Sequence, residues 1–519
     1  MTLLGIRCHQ PLGKADDELR LVAEKIYAPL LRLFENNPRA KCSLRISGII
    51  FDHWAKQQTE LLILLTQLVK QGQIELLSGG YYEPILALIP DTDKIGQIER
   101  SNEYIKNNFG LAPRGLWLAG RTWEPGLIKI IVRAGIEYAL IDDEHFISAG
   151  TDPDNLNGYF VTEDEGEMLK VFPVHRRVEE GSFLALEAEQ PGRLDQLEKI
   201  IKTPTQTFSD YLEEATSLGR IYLPTTGISA KDEEYFRNHL VKNPEANNLH
   251  KKMLFVSNKL KTAEQGKNLF GGIKLDQARH ELFQGQNSDA YFTEKWRPAA
   301  YHHLIMAEKE LEKLRRAGKA YVELTLTDFD KDGEDEILLT NDFLSLYFSP
   351  RLGGSIFEID YKPRAVNLCH SRLSLLDHFL APGTTMAEFS DSGFGEAGDF
   401  VQGRYNFMPA RKEGAVGLRL SRNGEVQGAP VKIEKNITLH AKHSIFLVEY
   451  EITNLWEEPD EFLFGVEFNI DDTKNFAVSL EADKSAVLWC QQNVIMPNWR
   501  FKLKPQESWH GKISVRIEE

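Results

Sequence analysis

Only four cysteines occur in 519 residues (Cys8, Cys42, Cys369 and Cys490), and none stands in CxxC spacing. This excludes a cysteine zinc site and a disulfide framework, and predicts reduced thiols in a cytoplasmic protein. The histidines are no better arranged for a metal: His9, His145, His175 and His250 lack HExxH spacing, so neither a metal nor another cofactor is expected. No stretch approaches ~18 consecutive apolar residues, which excludes a transmembrane helix. The opening MTLLGIRCHQPLG has no basic start and a very short apolar run, so no signal peptide is predicted. A basic cluster is also missing. With 77 acidic against 61 basic residues and a net charge of −16, nucleic acid and anionic membrane are excluded as main partners. There is no low-complexity tract and no repeat of fixed period.

What remains is an ordinary globular composition, 42% hydrophobic, 27% charged and 10% aromatic, in a chain long enough for two or three domains. Apolar runs at Leu3–Arg7, Ser43–Ile46, Ile74–Leu77, Gly115–Ala119, Tyr138–Ile141, Leu169–Pro173 and Ser182–Leu186 read as strands, with a late one at Arg220–Leu223. Between them lie helical patterns at Asp16–Asn36, Thr59–Gln71 with Thr59 as N-cap, Asp91–Asn108 and Gly126–Ala134. This alternation is the mark of parallel α/β architecture. From about Ala230 to Gly318 the chain reads as helical. After Lys319 come short alternating runs, among them Tyr321–Leu326, Phe343–Phe348, Ile433–Leu439, Ile445–Ile452 and Phe462–Phe468, as in an antiparallel β-sandwich. The expected organisation is a β/α domain over 1–240, a helical domain over 241–318 and a β-sandwich over 319–519.

Polar and aromatic residues gather repeatedly just after a strand: His9-Gln10, Tyr81-Tyr82-Glu83, Arg121-Thr122-Trp123-Glu124 and Asp142-Asp143-Glu144-His145. A fifth group, Asn243 to His250, enters a helix. In a parallel barrel the C-terminal strand ends share one face, so the first four groups converge there. Aromatic faces with carboxylates and amides suit a sugar, whose ring stacks while its hydroxyls take hydrogen bonds. Taken singly, an Asp-Asp pair is a solvated loop and a tryptophan after a strand is core; their recurrence at equivalent positions points to a site.

The strings IRCHQP, GQIELLSGGYYEP, GLWLAGRTWEP with IDDEHF behind it, and NPEANNLHKKM resemble motifs of glycoside hydrolase family 57, in particular its 4-α-glucanotransferases and α-amylase-like members. GQNSDAYF, GDFVQGRYNF and the long DFDKDGEDEILLTNDFLSLYFSPRLGGSIFEI stretch extend the resemblance over most of the chain, in order. It implies an incomplete seven-stranded β/α barrel, a helical segment, a C-terminal antiparallel β-sandwich, and α-1,4-linked glucans or malto-oligosaccharides as partners. Homo-oligomerisation is left open. By motif position, His9, Gln10 and Glu83 are expected to hold sugar hydroxyls and Trp117 and Trp123 to pack or stack. Arg121, Asp143 and His145 are expected to shape the site, Glu124 to touch substrate, and Glu245 and His250 to close it from the helical side.

The departures from the family pattern bear on activity. Where the family's strand motif ends in the glutamate that attacks the anomeric carbon, this chain has Gly120. A retaining mechanism needs that carboxylate ~5–5.5 Å from an acid/base partner. The family's His-Asp-Asp-Gly-Glu-type acid/base motif is missing between Phe172 and Pro224. Its nearest stand-in is Leu186-Glu187-Ala188-Glu189-Gln190, where strand alternation puts Glu187 and Glu189 on one face. The acid/base role falls to Glu189, with a surface glutamate as the alternative. Arg7 and Cys8 stand where the family commonly has another histidine. The expectation is a glucan-recognising protein with impaired catalysis. The rivals are an active transferase or amylase using a substitute carboxylate such as Glu124 or Glu83, and a non-catalytic partner in glucan metabolism. Asp328-Phe329-Asp330-Lys331-Asp332-Gly333 begins like a calcium loop, but position 12 is Leu339 where an EF-hand needs glutamate, so a tight surface turn is expected there, with calcium binding by Asp328, Asp330 and Asp332 as the alternative.

Overall fold

The computed structural model describes residues 2–178, 182–225, 236–266, 275–316, 318–369, 372–390, 394–471, 477–483, 485–491 and 493–518. The start of the helical reading at Ala230 and the stretch 267–274 lie outside them. The chain forms two compact units, residues 1–258 with 279–300, and residues 259–278 with 301–519.

In the first unit the apolar runs become strands β1 (Thr2–Cys8), β2 (Cys42–Ile46), β3 (Ile74–Leu76), β4 (Gly115–Trp117), β5 (Tyr138–Asp142), β6 (Phe160–Asp164), β7 (Glu167–Val174) and β8 (Phe183–Glu187). One sheet runs β3-β2-β1-β8 and a second β4-β5-β7-β6. Isolated parallel bridges Ser78↔Leu116 and His175↔Leu184 join them at both ends, so β1, β2, β3, β4, β5, β7 and β8 close a seven-stranded parallel ring. The expected late strand at Arg220–Leu223 is replaced by a single bridge, Val161↔Arg220. The ring is already closed by β7 and β8, and only the outer edge of β6 is left to pair with. β6 itself was not anticipated; it forms an antiparallel hairpin with β7 across Glu165-Gly166, both at positive φ, a turn geometry that follows the strand twist.

Inside the ring, side chains fill the space as in any small barrel. Tyr138, fully buried, donates from its hydroxyl to Glu75 Oε1 at 2.6 Å, and Ser43 also bonds Glu75. The ring of Tyr138 takes the room a side chain at residue 115 would need: a Cβ there would lie 2.2 Å from it. Hence only glycine opens β4. Outside, helices Thr59–Lys70, Asp91–Phe109 and Leu127–Arg133 pack apolar stripes on the strands. Thr59 is the first helical residue rather than the cap, which is Gln58. The predicted helix over Asp16–Asn36 contains one π-helical turn, Ala23–Tyr27, between α-helical halves. Helices at Phe236–Lys242, Pro244–Gln265, Leu275–Gly285 and Arg297–Arg316 carry the helical reading.

The second unit holds three antiparallel sheets around one core. Long strands Ala415–Val426, Ala429–His440, Ile445–Asn454 and Ser508–Glu518 pair in succession. Their burial alternates, Val431, Ile433, Ile437 and Leu439 facing in, which is the period-2 pattern of a one-faced sheet. Among the described residues no helix is long and apolar enough to cross a membrane.

Candidate functional site

Register decides what stands at the C-terminal mouth of the ring. Arg7 at the end of β1 pairs with Arg45 of β2 and with Glu187 of β8, so the three side chains leave neighbouring strands on one side. Arg45, wholly buried, donates from Nε to Glu83 Oε1 at 2.9 Å and from Nη2 to the Gly80 carbonyl at 2.7 Å. Arg7 donates from Nε to Glu83 Oε2 at 3.1 Å and from Nη1 to Glu187 Oε2 at 2.9 Å. Glu83 is 1% exposed. Burial pushes its carboxyl up, but Arg7 and Arg45 outweigh burial and hold it below its ordinary range.

After β4 the chain turns through two left-handed residues, Gly120 at φ 60° and Arg121 at φ 52°. Left-handed backbone at a non-glycine residue is strained, and such residues cluster at functional sites; Glu83, at φ 55°, is another. The turn returns Arg121 to the mouth. Its guanidinium lies 4.5 Å from the Trp117 ring centroid and donates to Asp142 and, at 2.7 Å, to the Ala185 carbonyl. Arg176, following β7, donates from Nε to the other Asp142 oxygen at 2.7 Å. Burial raises the Asp142 carboxyl, and the two arginines bring it below its usual value.

These groups enclose a cavity of about 150 Å³ walled by Arg7, Trp117, Gly120, Arg121, Arg176 and Glu187, with Ala185 and Gln190 completing it. A Cβ at Gly120 would meet nothing closer than Thr122 Oγ1 at 3.5 Å and Ile85 Cγ1 at 3.9 Å.

Of the residues singled out in the sequence, Trp117 and Arg121 line this cavity, and Glu83 anchors the arginine beneath it. His9 Nε2 lies 2.8 Å from Asp289 Oδ2, and Gln10 donates to the His9 carbonyl and to Tyr27. Trp123 is fully buried, its indole donating to the Leu223 carbonyl at 3.3 Å, which is core packing. Glu124 is ion-paired with Arg237 at 3.1 Å and Asp143 lies 3.0 Å from His175. His145 is buried and depressed by that burial. Glu245 pairs with Arg297. His250 lies 2.9 Å from the Leu88 carbonyl, and burial pushes it down to about 4. Tyr81 and Tyr82 are buried with both hydroxyls on Asp52, so neither offers a face to a ligand.

The reading of Glu187 and Glu189 as one strand face is corrected. β8 stops at Glu187, and the alternation stops with it. Glu187 walls the cavity, whereas Glu189 accepts from the His9 amide at 2.7 Å and from the Tyr27 hydroxyl. Burial raises its carboxyl, partly offset by those two donors. Sequence reasoning gave no role to Arg45, Arg176 or Asp289, and offered Glu187 only beside Glu189 as a stand-in for the acid/base motif. Arg45 left one local signal, a charge inside the apolar run of β2 that has to find a buried partner. In the second unit, Asp328, Asp330 and Asp332 gather their carboxylates within 4.8 Å. The Asp332 N–H donates to Asp328 and Asp330, its carboxylate pairs with Arg351, and Leu339 is fully buried in the next strand.

With this geometry in hand, comparison with known proteins is informative. The sequence model of glycosyl hydrolase family 57 matches residues 9–264. An α-amylase of Dictyoglomus thermophilum is 30% identical, over 90% of this chain and 84% of its own. The chain belongs to glycosyl hydrolase family 57. Its middle and C-terminal parts match the α-amylase/4-α-glucanotransferase middle domain at 234–311 and C-terminal domain at 328–371 and 369–509. Within the family, a 4-α-glucanotransferase of Thermococcus kodakarensis is 27% identical over 94% of this chain and 93% of its own. The crystal structure of the Thermococcus litoralis 4-α-glucanotransferase superposes with a TM-score of 0.83 at 24% identity, covering 99% of both chains. The barrel followed by antiparallel sheets is thus the family 57 fold.

Proposed function

We propose that this family 57 chain recognises α-1,4-linked glucans at the mouth of its barrel and does not cleave them by the two-carboxylate retaining route. Gly120 carries the reading. It stands where the family motif has its attacking glutamate, it walls the cavity, and a Cβ there would touch Thr122 Oγ1 at 3.5 Å and Ile85 Cγ1 at 3.9 Å without a clash. A glycosyl–enzyme ester needs a carboxylate oxygen at that place, and hydrogen cannot supply one. Trp117 and Arg121 are both on the wall; Arg121 brings a guanidinium there, while Trp117 is 2% exposed and packs against it. Glu187, the one carboxylate of the wall among the described residues, is tied to Arg7. Glu189 has the raised carboxyl of a general acid, but an acid without a nucleophile completes half of the retaining reaction.

Affinity electrophoresis in amylose gels tests recognition. Retardation that weakens in Trp117→Ala supports the reading. Unretarded migration would favour a non-catalytic partner role that needs no glucan contact. Turnover of maltoheptaose that vanishes in Glu187→Gln or Glu189→Gln would replace the reading with an active enzyme using a substitute carboxylate.

A further inference from the structure

The two departures from the family pattern at the mouth act on charge in the same direction. Gly120 removes a carboxylate, and Arg7 places a permanent cation where the family commonly has a histidine. Both residues wall the same cavity, with Arg121 and Arg176, so among the described residues its wall carries three guanidiniums and the carboxylate of Glu187. The carboxylates that hold these arginines in place, Glu83 and Asp142, are 1% and 2% exposed and are not among the residues that line the cavity.

We propose that this cavity is an oxyanion site that takes a phosphate group, either free inorganic phosphate or a phosphate ester carried on a glucan. A guanidinium presents a planar fork of N–H donors matched to phosphate oxygens, and it keeps its charge at every working pH. Three such forks reach the cavity from different strand ends, Arg7 from β1, Arg121 from the turn after β4 and Arg176 from beyond β7. Each is fixed in advance. Arg7 is held by Glu83 and Glu187, Arg121 by Asp142 and the Ala185 carbonyl, and Arg176 by Asp142. Binding therefore loses little side-chain entropy. The size fits as well. At about 30 Å³ per water, a cavity of about 150 Å³ has room for a tetrahedral anion of five heavy atoms. A carboxylate at residue 120, itself on the wall, would add a like charge beside that volume. The inference rests on the same cavity as the glucan reading and adds the charge class of its occupant.

The test is calorimetric titration of the full chain with inorganic phosphate at fixed ionic strength set by chloride. One site per chain, with a Kd of about millimolar or tighter, displaced by sulfate and not by added chloride, is expected. Arg176→Gln, whose side chain is 43% exposed, and Gly120→Asp should each weaken binding about tenfold or more. Circular dichroism checks their folding; if either misfolds, the wild-type sulfate competition decides. A malto-oligosaccharide phosphate ester that binds tighter than both inorganic phosphate and the unphosphorylated oligosaccharide assigns the anion to the glucan. Equal affinity for inorganic phosphate assigns it to the free ion. No phosphate binding, or binding unchanged in both folded variants, overturns the proposal. Retained maltoheptaose binding in that case leaves the glucan reading standing. Phosphate binding without maltoheptaose binding removes the glucan reading alone.

Discussion

Buried charge is used in opposite ways in the two units. In the β-rich unit Lys435 and Asp377 form an ion pair at 2.9 Å with no exposure on either side. Asp377 also accepts from Tyr405 and Tyr450, and Lys435 donates to the Gly353 and Leu375 carbonyls. His378, beside it, sits between Glu396 at 2.7 Å and Glu467 at 2.9 Å. The Lys435–Asp377 network is closed on itself, and the His378 network borders no described cavity. At the barrel mouth the arrangement is graded: Arg45 is sealed, Arg7 is 14% exposed and Arg176 43%. The inner member of the series fixes structure, and the outer members wall open space. A charge network saturated by the protein serves stability, whereas one that ends at a cavity is available to a ligand.

Removing charge from each network separates the two uses. Asp377→Leu, which strands Lys435 in the β-core, should cost about 3–5 kcal/mol in chemical denaturation while leaving amylose retardation of the folded fraction unchanged. The His378 contribution should depend on pH. Burial disfavours the imidazolium, but Glu396 and Glu467 outweigh it and push the group up to about 9. The folded value lies above the unfolded one of about 6.5, so this stability is fully present below pH ~6.5 and is lost as pH rises through about 9. Denaturation at pH 6 and pH 10 should differ by about 3 kcal/mol more in the wild type than in His378→Gln. At the mouth, Gly120→Ala should cost about 1–2 kcal/mol, because residue 120 is left-handed although its surroundings are roomy. Arg176→Gln should change stability by less than about 1 kcal/mol. A large loss there would place Arg176 with the sealed groups and erase the distinction.

Much of this architecture is legible locally. Seven apolar runs alternating with amphipathic helices specify a parallel ring, and GLWLAGRTWEP marks Gly120 as the odd residue of the mouth. The β6–β7 hairpin was also written in the sequence, as alternation on both sides of Glu165-Gly166, but the runs are short and half polar. The ionic network was not legible. Arg45 meets Glu83 across 38 residues and His9 meets Asp289 across 280, and no periodicity carries information over such separations. Trp117 and Trp123 were expected to pack or stack, and burial decides between the two: at 2% and 0% exposure both pack. Glu189 shows a different error, since its expected face depended on β8 running two residues farther than it does.

Prolonged incubation of maltoheptaose with stoichiometric protein, followed by chain-length analysis, bears most directly on the account. Bound maltoheptaose that remains seven units long is the predicted result. New chain lengths that disappear when Glu187 or Glu189 is changed to glutamine would contradict it, by showing that a carboxylate of the mouth does the work Gly120 cannot.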